Sequence, residues 1–557
     1  MISRALKSLA LVTFALVLAS CAKLPSLPTN QLGPEITTSE QNESLYYSPS
    51  DPTIGSSQEQ IINGFLYAGN GPQDDYAVAR KFLTKNYSSK WHPSDETLIQ
   101  SGPAQVLANS GTKIQLRVNF DARVNSQGNY IAEPGASRIL EFRLLQEGGE
   151  WRISSAPNLT TLLAPNYKVL FKAVPVYFWD KSFSYLVPDV RWFPTRASLP
   201  TKLTNAMIAG PSSWLAPAVQ NILPAGTKLN INSVTVDSGT ASIDFNASAL
   251  KVPSWKRPYL RSQILATLGS VEGVTQISIS VERTVQVIGS GASGMPEDNS
   301  ILPVALYKGG LGRIAGASIF DIRGTKELVE KQQATDFCIS ADETLVVLLG
   351  QGRIYSYNLG LLKNSSQLID DRPALIVPSL DPFNSVWSTT RTPGSTIRIT
   401  DVLGLQVSLP NPFGTKGSIR AIAVSAEGSR IAILHELGRG VSVEVFAILR
   451  DKYRKVTGLG APLSLSEFGT NVQSISWSQH STLTGLVRDS NGLQSAVEVM
   501  VGGPKSIERR TNDGVSAITV LGGNQYYLDT SGALFVSRSI GWDRLRSAIK
   551  AIHMAGQ

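Results

Sequence analysis

Cysteine is nearly missing from this chain. Its 557 residues hold two. Two thiols cannot build a disulfide framework or a four-thiolate zinc site. Histidine is also scarce, with four: His92, His435, His480 and His553. None stands in HExxH spacing, so a zinc hydrolase lacks its ligands. His435-Glu436 follows an apolar run and reads as loop surface. There is no GxSxG, no P-loop and no EF-hand loop. The Gly289 to Gly294 stretch (GSGASG) reads as linker. Gly310-Leu311-Gly312 with Gly316 misses GxGxxG by one residue and reads as a hairpin. Asp74-Asp75 and Asp370-Asp371 read as solvated pairs. The only long apolar run is at the N-terminus, which excludes a polytopic membrane protein. No cofactor or metal is expected, and the chain reads as a non-enzyme.

Turn formers are abundant, with 47 Gly and 30 Pro, and the hydrophobic share is 42%. That balance excludes general disorder and favours many strands. The length fits roughly three or four domains of about 150 residues. The formal net charge is +8.

Arg4 and Lys7 precede an apolar run from Leu9 to Ala19, the form of a signal peptide over residues 1–20. Leu18-Ala19-Ser20-Cys21 resembles the lipobox of bacterial lipoproteins. That resemblance implies that Cys21 is acylated and becomes the mature N-terminus. Two acyl chains give stable membrane attachment, on the extracytoplasmic face. The other thiol, Cys338, lies in the apolar run Phe337-Cys338-Ile339 and reads as core. Residues 21–57 are rich in Pro, Ser, Thr and Asn, and read as a flexible lipidated tether.

Residues 58–165 read as an α+β unit. Helical spacing covers Gln58 to Tyr67 and Asp74 to Tyr87. Alternating strands follow at Lys113 to Phe120, Arg138 to Leu145 and Glu150 to Ser154. Helices before an antiparallel sheet resemble the cone-like fold of nuclear transport factor 2.

Residues 166–290 carry a more specific pattern. Strands are expected at Val174 to Phe178 and around Val190 to Phe193. Helices are expected over Leu199 to Ala209, stopped by Gly210-Pro211, and over Tyr259 to Leu268. A strand Ile231 to Val236 turns at Asp237-Ser238-Gly239 into Ala241 to Phe245. Val274 to Val281 ends the unit. With Ile208-Ala209-Gly210-Pro211 and Pro224-Ala225-Gly226-Thr227, this order resembles the GerMN domain, a small α/β module of bacterial envelope proteins. The unit holds twelve basic and six acidic residues, so most of the surplus charge is here. Residues 291–303 read as a linker.

Residues 304–557 repeat weakly. Phe337 to Asp342, Val386-Trp387-Ser388, Ile422 to Gly428, Ile475 to Ser478 and Ile518 to Val520 sit at corresponding places. Recurrence at roughly 40–50 residues marks a β-propeller. Five first strands predict five or six blades. The sixth would combine Val304 to Ile322 with Leu534-Phe535-Val536. A β-sandwich is the alternative.

Lipobox, tether, α+β unit, GerMN domain and propeller, in that order, resemble the LpqB family of actinobacterial lipoproteins. The resemblance implies an accessory regulator of the Mtr two-component system. Such a protein would act through the extracellular domain of the sensor histidine kinase and influence cell-wall homeostasis and division. The family brings no catalytic residues, so only Cys21 carries over as a site.

One local cluster stands out: Lys251, Trp255, Lys256, Arg257 and Arg261. It reads either as a docking patch for an acidic partner or an anionic cell-wall polymer, or as a solvated basic face. The extracytoplasmic address excludes nucleic acid. A second reading is a wall glycan or peptide binder, with Trp387 and Trp477 at the mouth of the propeller channel. A third, a hydrolase on the propeller, needs clustered acids or a nucleophile with a base at one rim.

Overall fold

The computed structural model describes residues 49–557, except 196–197, 296–301, 317, 361–365, 439, 513, 522, 539–540 and 557. Strict alternation builds the first sheet. In the strand Lys113–Asn125 the even positions, from Ile114 to Val124, are buried. Those from Ile114 to Phe120 meet Ile61, Ile62 and Phe65 of the helix Gln58–Ala68 in one apolar core, while Ala122 and Val124 pack with Ile99, Leu162, Tyr167 and Phe171. Ser57 and Gln60 close a capping box at that helix. The sheet has six strands. Glu96–Gln100 pairs antiparallel with Lys113–Asn125 and parallel with Thr160–Leu163. The single helix expected over Asp74 to Tyr87 is broken. Asp74, Asp75 and Tyr76 all take positive φ, leaving only Ala77–Arg80 and Lys85–Ser88 helical. Periodicity alone does not register such a local break.

The second domain is built on two small sheets and the helices Leu199–Ala209 and Arg257–Leu268. Phe171–Asp180 pairs with Leu186–Pro194 and with Val219–Gln220. In the other sheet, Thr240–Phe245 lies parallel to Gln276–Val281, and the helix Arg257–Leu268 makes the crossover. The helix Leu199–Ala209 matches its expected span, and Gly210 ends it with φ 97°. The strand expected at Ile231 to Val236 shrinks to Thr235–Asp237. Residues 291–295, expected to be linker, return onto this domain. The Leu186 amide donates to the Gly294 carbonyl (2.7 Å), and Ser262 Oγ donates to the Ala292 carbonyl (2.8 Å). A Cβ on Gly294 would lie 2.2 Å from the Trp179 ring, so only glycine fits that approach.

Six four-stranded antiparallel sheets follow, making a six-bladed propeller among the described residues. Their inner strands are Ile549–Met554, Ala334–Ile339, Ser379–Leu380, Ser418–Val424, Val472–Gln479 and Val515–Leu521, and neighbours in this ring touch. The first blade takes its inner strand from the far end of the sequence. Ile549–Met554 pairs with Pro303–Tyr307, matching Val304 to His553 and Leu306 to Ala551. This replaces the expected closing segment Leu534-Phe535-Val536, which is instead the third strand of the sixth blade. Val386-Trp387-Ser388 is likewise the second strand of its blade. The true first strand, Ser379–Leu380, is two residues long and too short to show a pattern.

The repeated serines fasten turns. Ser340 Oγ accepts from the Leu345 amide at 2.9 Å and donates to Asp342. Ser425 Oγ accepts from the Arg430 amide at 3.1 Å and donates to Glu427. Two expected surface groups are buried. Asp370 accepts hydrogen bonds from Arg372, Arg398 and Ser388; burial pushes its carboxyl up, but Arg372 and Ser388 outweigh that and hold it low. His435 lies in the strand Arg430–Leu437 and stacks on Phe413 with ring centroids 3.5 Å apart. Cys338 is buried, and burial drives its thiol pKa far up, which suits core rather than chemistry.

Candidate partner-binding surface

Asp180 organises the site from below. This buried carboxylate accepts from the amides of Ser182 (3.1 Å), Ser184 (2.7 Å) and Tyr185 (2.9 Å). The turn holds Phe183 at φ 56°, a strained value for a bulky residue. Its ring therefore stands against Tyr259, with centroids 4.8 Å apart. Trp179 lies beneath, 5.1 Å from Tyr259, and its indole N–H donates to the Tyr259 carbonyl at 2.8 Å. Trp255 caps the stack edge-on, 5.5 Å from Phe183, and remains 58% exposed. Lys256 Nζ sits 5.1 Å from the Trp255 ring and 5.4 Å from the Phe183 ring. Four rings thus run from the core to the surface and end in an exposed indole beside an ammonium.

Of the five residues named from sequence, Trp255 and Lys256 join this cluster. Arg257 turns back, donating from Nε to the Val252 carbonyl at 3.4 Å. Arg261 is half-buried and Lys251 is exposed, and neither joins the ring stack. Sequence reasoning missed Phe183, which lies some seventy residues upstream with no linear signal. It also missed the adjoining propeller residues. Tyr185 meets Phe383 at 5.8 Å, and Arg450 and Arg454 stand over Phe383 at 4.8 and 5.1 Å. Lys181, in the Asp180 turn, has its ammonium pKa lowered by burial. Lys452 lies 4.9 Å from the ring of Tyr453, which is 76% exposed.

Trp387 does not reach the channel mouth. It is fully buried among Ile397, Ile399 and Ile419, with its indole N–H on Asp381 at 3.2 Å. Trp477 is buried between blades, donating to the Ala423 carbonyl at 2.9 Å. Cys21 lies outside the described residues. Among the described residues, no helix is long and apolar enough to cross a membrane.

The domain order now meets its relatives. The N-terminal domain of lipoprotein LpqB matches residues 51–167, the sporulation and spore germination domain matches 175–285, and the LpqB β-propeller domain matches 309–550. The chain belongs to the LpqB lipoprotein family. Lipoprotein LpqB of Cutibacterium acnes is 23% identical over 595 residues, covering 97% of each chain. Lipoprotein LpqB of Bifidobacterium longum is 24% identical, covering 85% of this chain and 84% of its own. The Corynebacterium diphtheriae LpqB reaches 31% over 40% of this chain and 39% of its own. Membership makes the protein a lipoprotein, the class to which the Cys21 lipobox points.

Proposed function

We propose that this LpqB protein is an accessory regulator, held by lipid at Cys21 on the extracytoplasmic face, which acts by binding rather than catalysis. Its partner is the extracellular domain of a two-component sensor histidine kinase, that of the Mtr system, and the output is cell-wall homeostasis and division. The observation that carries this reading is the Trp255–Lys256 surface. An exposed tryptophan on a rigid aromatic underlayer is the type of residue that dominates binding energy at interfaces. The adjoining ammonium and guanidinium groups favour an acidic partner face. Membrane tethering raises the effective concentration of a membrane-bound partner, so a weak contact suffices. Anionic wall polymer offers the same charge without the apolar pocket for the indole.

The test is direct binding of the full-length lipoprotein in detergent to the purified kinase ectodomain, measured by light-based interferometry. Trp255→Ala and Lys256→Glu should each weaken the contact. Absence of binding at high micromolar concentration, with both proteins folded, would overturn the reading. A wall glycan or peptide held in the channel by Trp387 and Trp477 is the weaker alternative, because Trp387 is enclosed between blades.

A further inference from the structure

Two turns on the propeller rim share one backbone design and differ in what they display. The first joins Ile397–Thr400 to Gln406–Leu409, the third and outer strands of the third blade. Asp401 accepts there from the amides of Leu403 and Leu405, both at 2.9 Å, and Gly404 takes φ 82°. The second joins Gly440–Arg450 to Val456–Ser464, the corresponding strands of the fourth blade. Asp451 accepts from the amides of Tyr453 (2.8 Å) and Lys455 (3.0 Å), and Arg454 takes φ 68°. Each turn is pinned by its own carboxylate, so its tip residues are held outward.

The turn itself does not call for these tips. Asp489 and Asp529 close turns of the same kind, with Gly492 and Gly532 at positive φ, and their tips are Ser490-Asn491 and Thr530-Ser531. The third blade instead displays Val402, Leu403 and Leu405, which are 60, 81 and 67% exposed. Three large aliphatic side chains this open at one tip add nothing to the core and mark a contact surface. In the fourth blade Tyr453 is exposed between Lys452 and Arg454, with Lys455 next, and these three cations form no ion pair among the described residues. Arg454 holds a left-handed backbone where the sister turns place glycine, and its guanidinium lies 5.1 Å from the Phe383 ring. Phe383 follows the inner strand of the third blade, so the charged turn leans toward the blade that carries the apolar one. Blades repeat by rotation about the propeller axis, and equivalent turns therefore emerge at the same end of the ring.

An aliphatic tip beside a tyrosine and unpaired cations matches the chemistry of a bilayer surface. Leucine and valine enter the acyl layer, tyrosine favours the interface, and lysine and arginine reach the headgroups. Such a surface is also within reach. Cys21 and Pro49 are joined by at most about 100 Å of extended chain. A propeller on that leash meets its own membrane at high effective concentration, so a shallow contact suffices. We propose that the turns at 402–405 and 452–455 form a second, reversible membrane contact, which seats the propeller rim on an anionic lipid surface beside the Cys21 anchor. The proposal rests on lipid attachment and not on the kinase reading, and it uses no residue of the Trp255 cluster.

The test places the full-length lipoprotein in vesicles of phosphatidylcholine and phosphatidylglycerol, with Leu403→Cys carrying an environment-sensitive nitrobenzoxadiazole dye. Cys338 is buried and burial drives its thiol pKa far up, so the dye goes to position 403. Its emission should shift to the blue and be quenched by nitroxide-bearing lipid. The same dye on Ser490→Cys, in a turn at the other end of the strands, should show neither effect. Lys452→Glu combined with Lys455→Glu should reverse most of the shift at position 403, as should vesicles of phosphatidylcholine alone. Flotation with the vesicles reads attachment separately. Floating protein whose dye at 403 behaves like that at 490, or whose shift ignores both changes of charge, would overturn this inference and leave attachment standing. Protein that does not float would overturn attachment and the inference together.

Discussion

The indole N–H of Trp192 donates to the carbonyl of Gly502 across 2.9 Å, joining residues 310 positions apart in the sequence. The Trp192 amide also donates to the Gly128 carbonyl (2.7 Å). One residue of the second domain thereby holds both the first domain and the propeller. Its neighbour Arg191 adds to this with a bond to the Gln127 carbonyl (3.1 Å) and a buried ion pair to Asp189 (2.6 Å). Tyr130 and Tyr167 pack against the Trp192 ring, at 6.3 and 5.4 Å. Trp192→Phe keeps most of the packing and loses the donor, so it should cost about 1 kcal/mol. Hydrogen exchange should show the loss at 500–505 and 126–130 before any other segment.

Gly503 lies under the same indole. A Cβ there would fall 2.8 Å from the Trp192 ring. Gly503→Ala should therefore cost about 1–3 kcal/mol through overpacking. The double variant with Trp192→Phe should cost less than the sum of the two singles, because the smaller ring makes room. A thermal melt series over the four proteins checks this.

Glu427 and Arg430 form an ion pair, each 1% exposed. Arg430→Met leaves the Glu427 charge buried and unpaired, and should destabilise the propeller by about 3–5 kcal/mol. The Glu427→Gln change keeps a hydrogen-bonding group there and should cost less. Urea unfolding of both variants provides the comparison.

Burial raises the Glu467 carboxyl to about 7, near Tyr130, whose own phenol is pushed up by burial and by this carboxylate. A folded pKa above the unfolded one means that the folded state binds more protons between the two values. Stability from this group is therefore full below about 4.5 and is lost as pH rises through about 7. Glu467→Gln should remove that part of the slope and raise stability at pH 8 by on the order of 1–3 kcal/mol. Melting curves at pH 5 and pH 8 measure it. A larger gain at pH 5 than at pH 8 would contradict the assignment.

Trp255→Ala removes a ring that is more than half exposed, so it should shift the melting temperature by only a degree or two. Its effect belongs to partner binding, as tested above.

Local chemistry was the legible part of this protein. The helix Leu199–Ala209 follows from its own Pro and Gly punctuation. The Asp237-Ser238-Gly239 turn follows from positive φ at Ser238 and Gly239. Long-range partners were not legible. Asp370 read as solvated because Arg398, which pairs with it, is a strand away in another blade. His435 read as surface because Phe413 comes from a preceding loop. The site divides the same way: Trp255 and Lys256 are neighbours in the chain, while Phe183 reaches them only through the fold. The closing strand was placed at Leu534-Phe535-Val536 because that short apolar run shows locally, whereas the pairing of Ile549–Met554 with Pro303–Tyr307 is a long-range register that no local pattern marks.

That last pairing also sets an order in time. Pro303–Tyr307 leaves the ribosome, and any export channel, well before the strand that completes its sheet. Until Ile549–Met554 arrives, the first blade exposes an unpaired edge and the ring stays open. A nascent chain halted anywhere before residue 549 thus carries a sticky margin that the finished one conceals. Export ahead of folding would keep that margin away from its neighbours in the cytoplasm, and residues 549–554 would act as the latch that retires it.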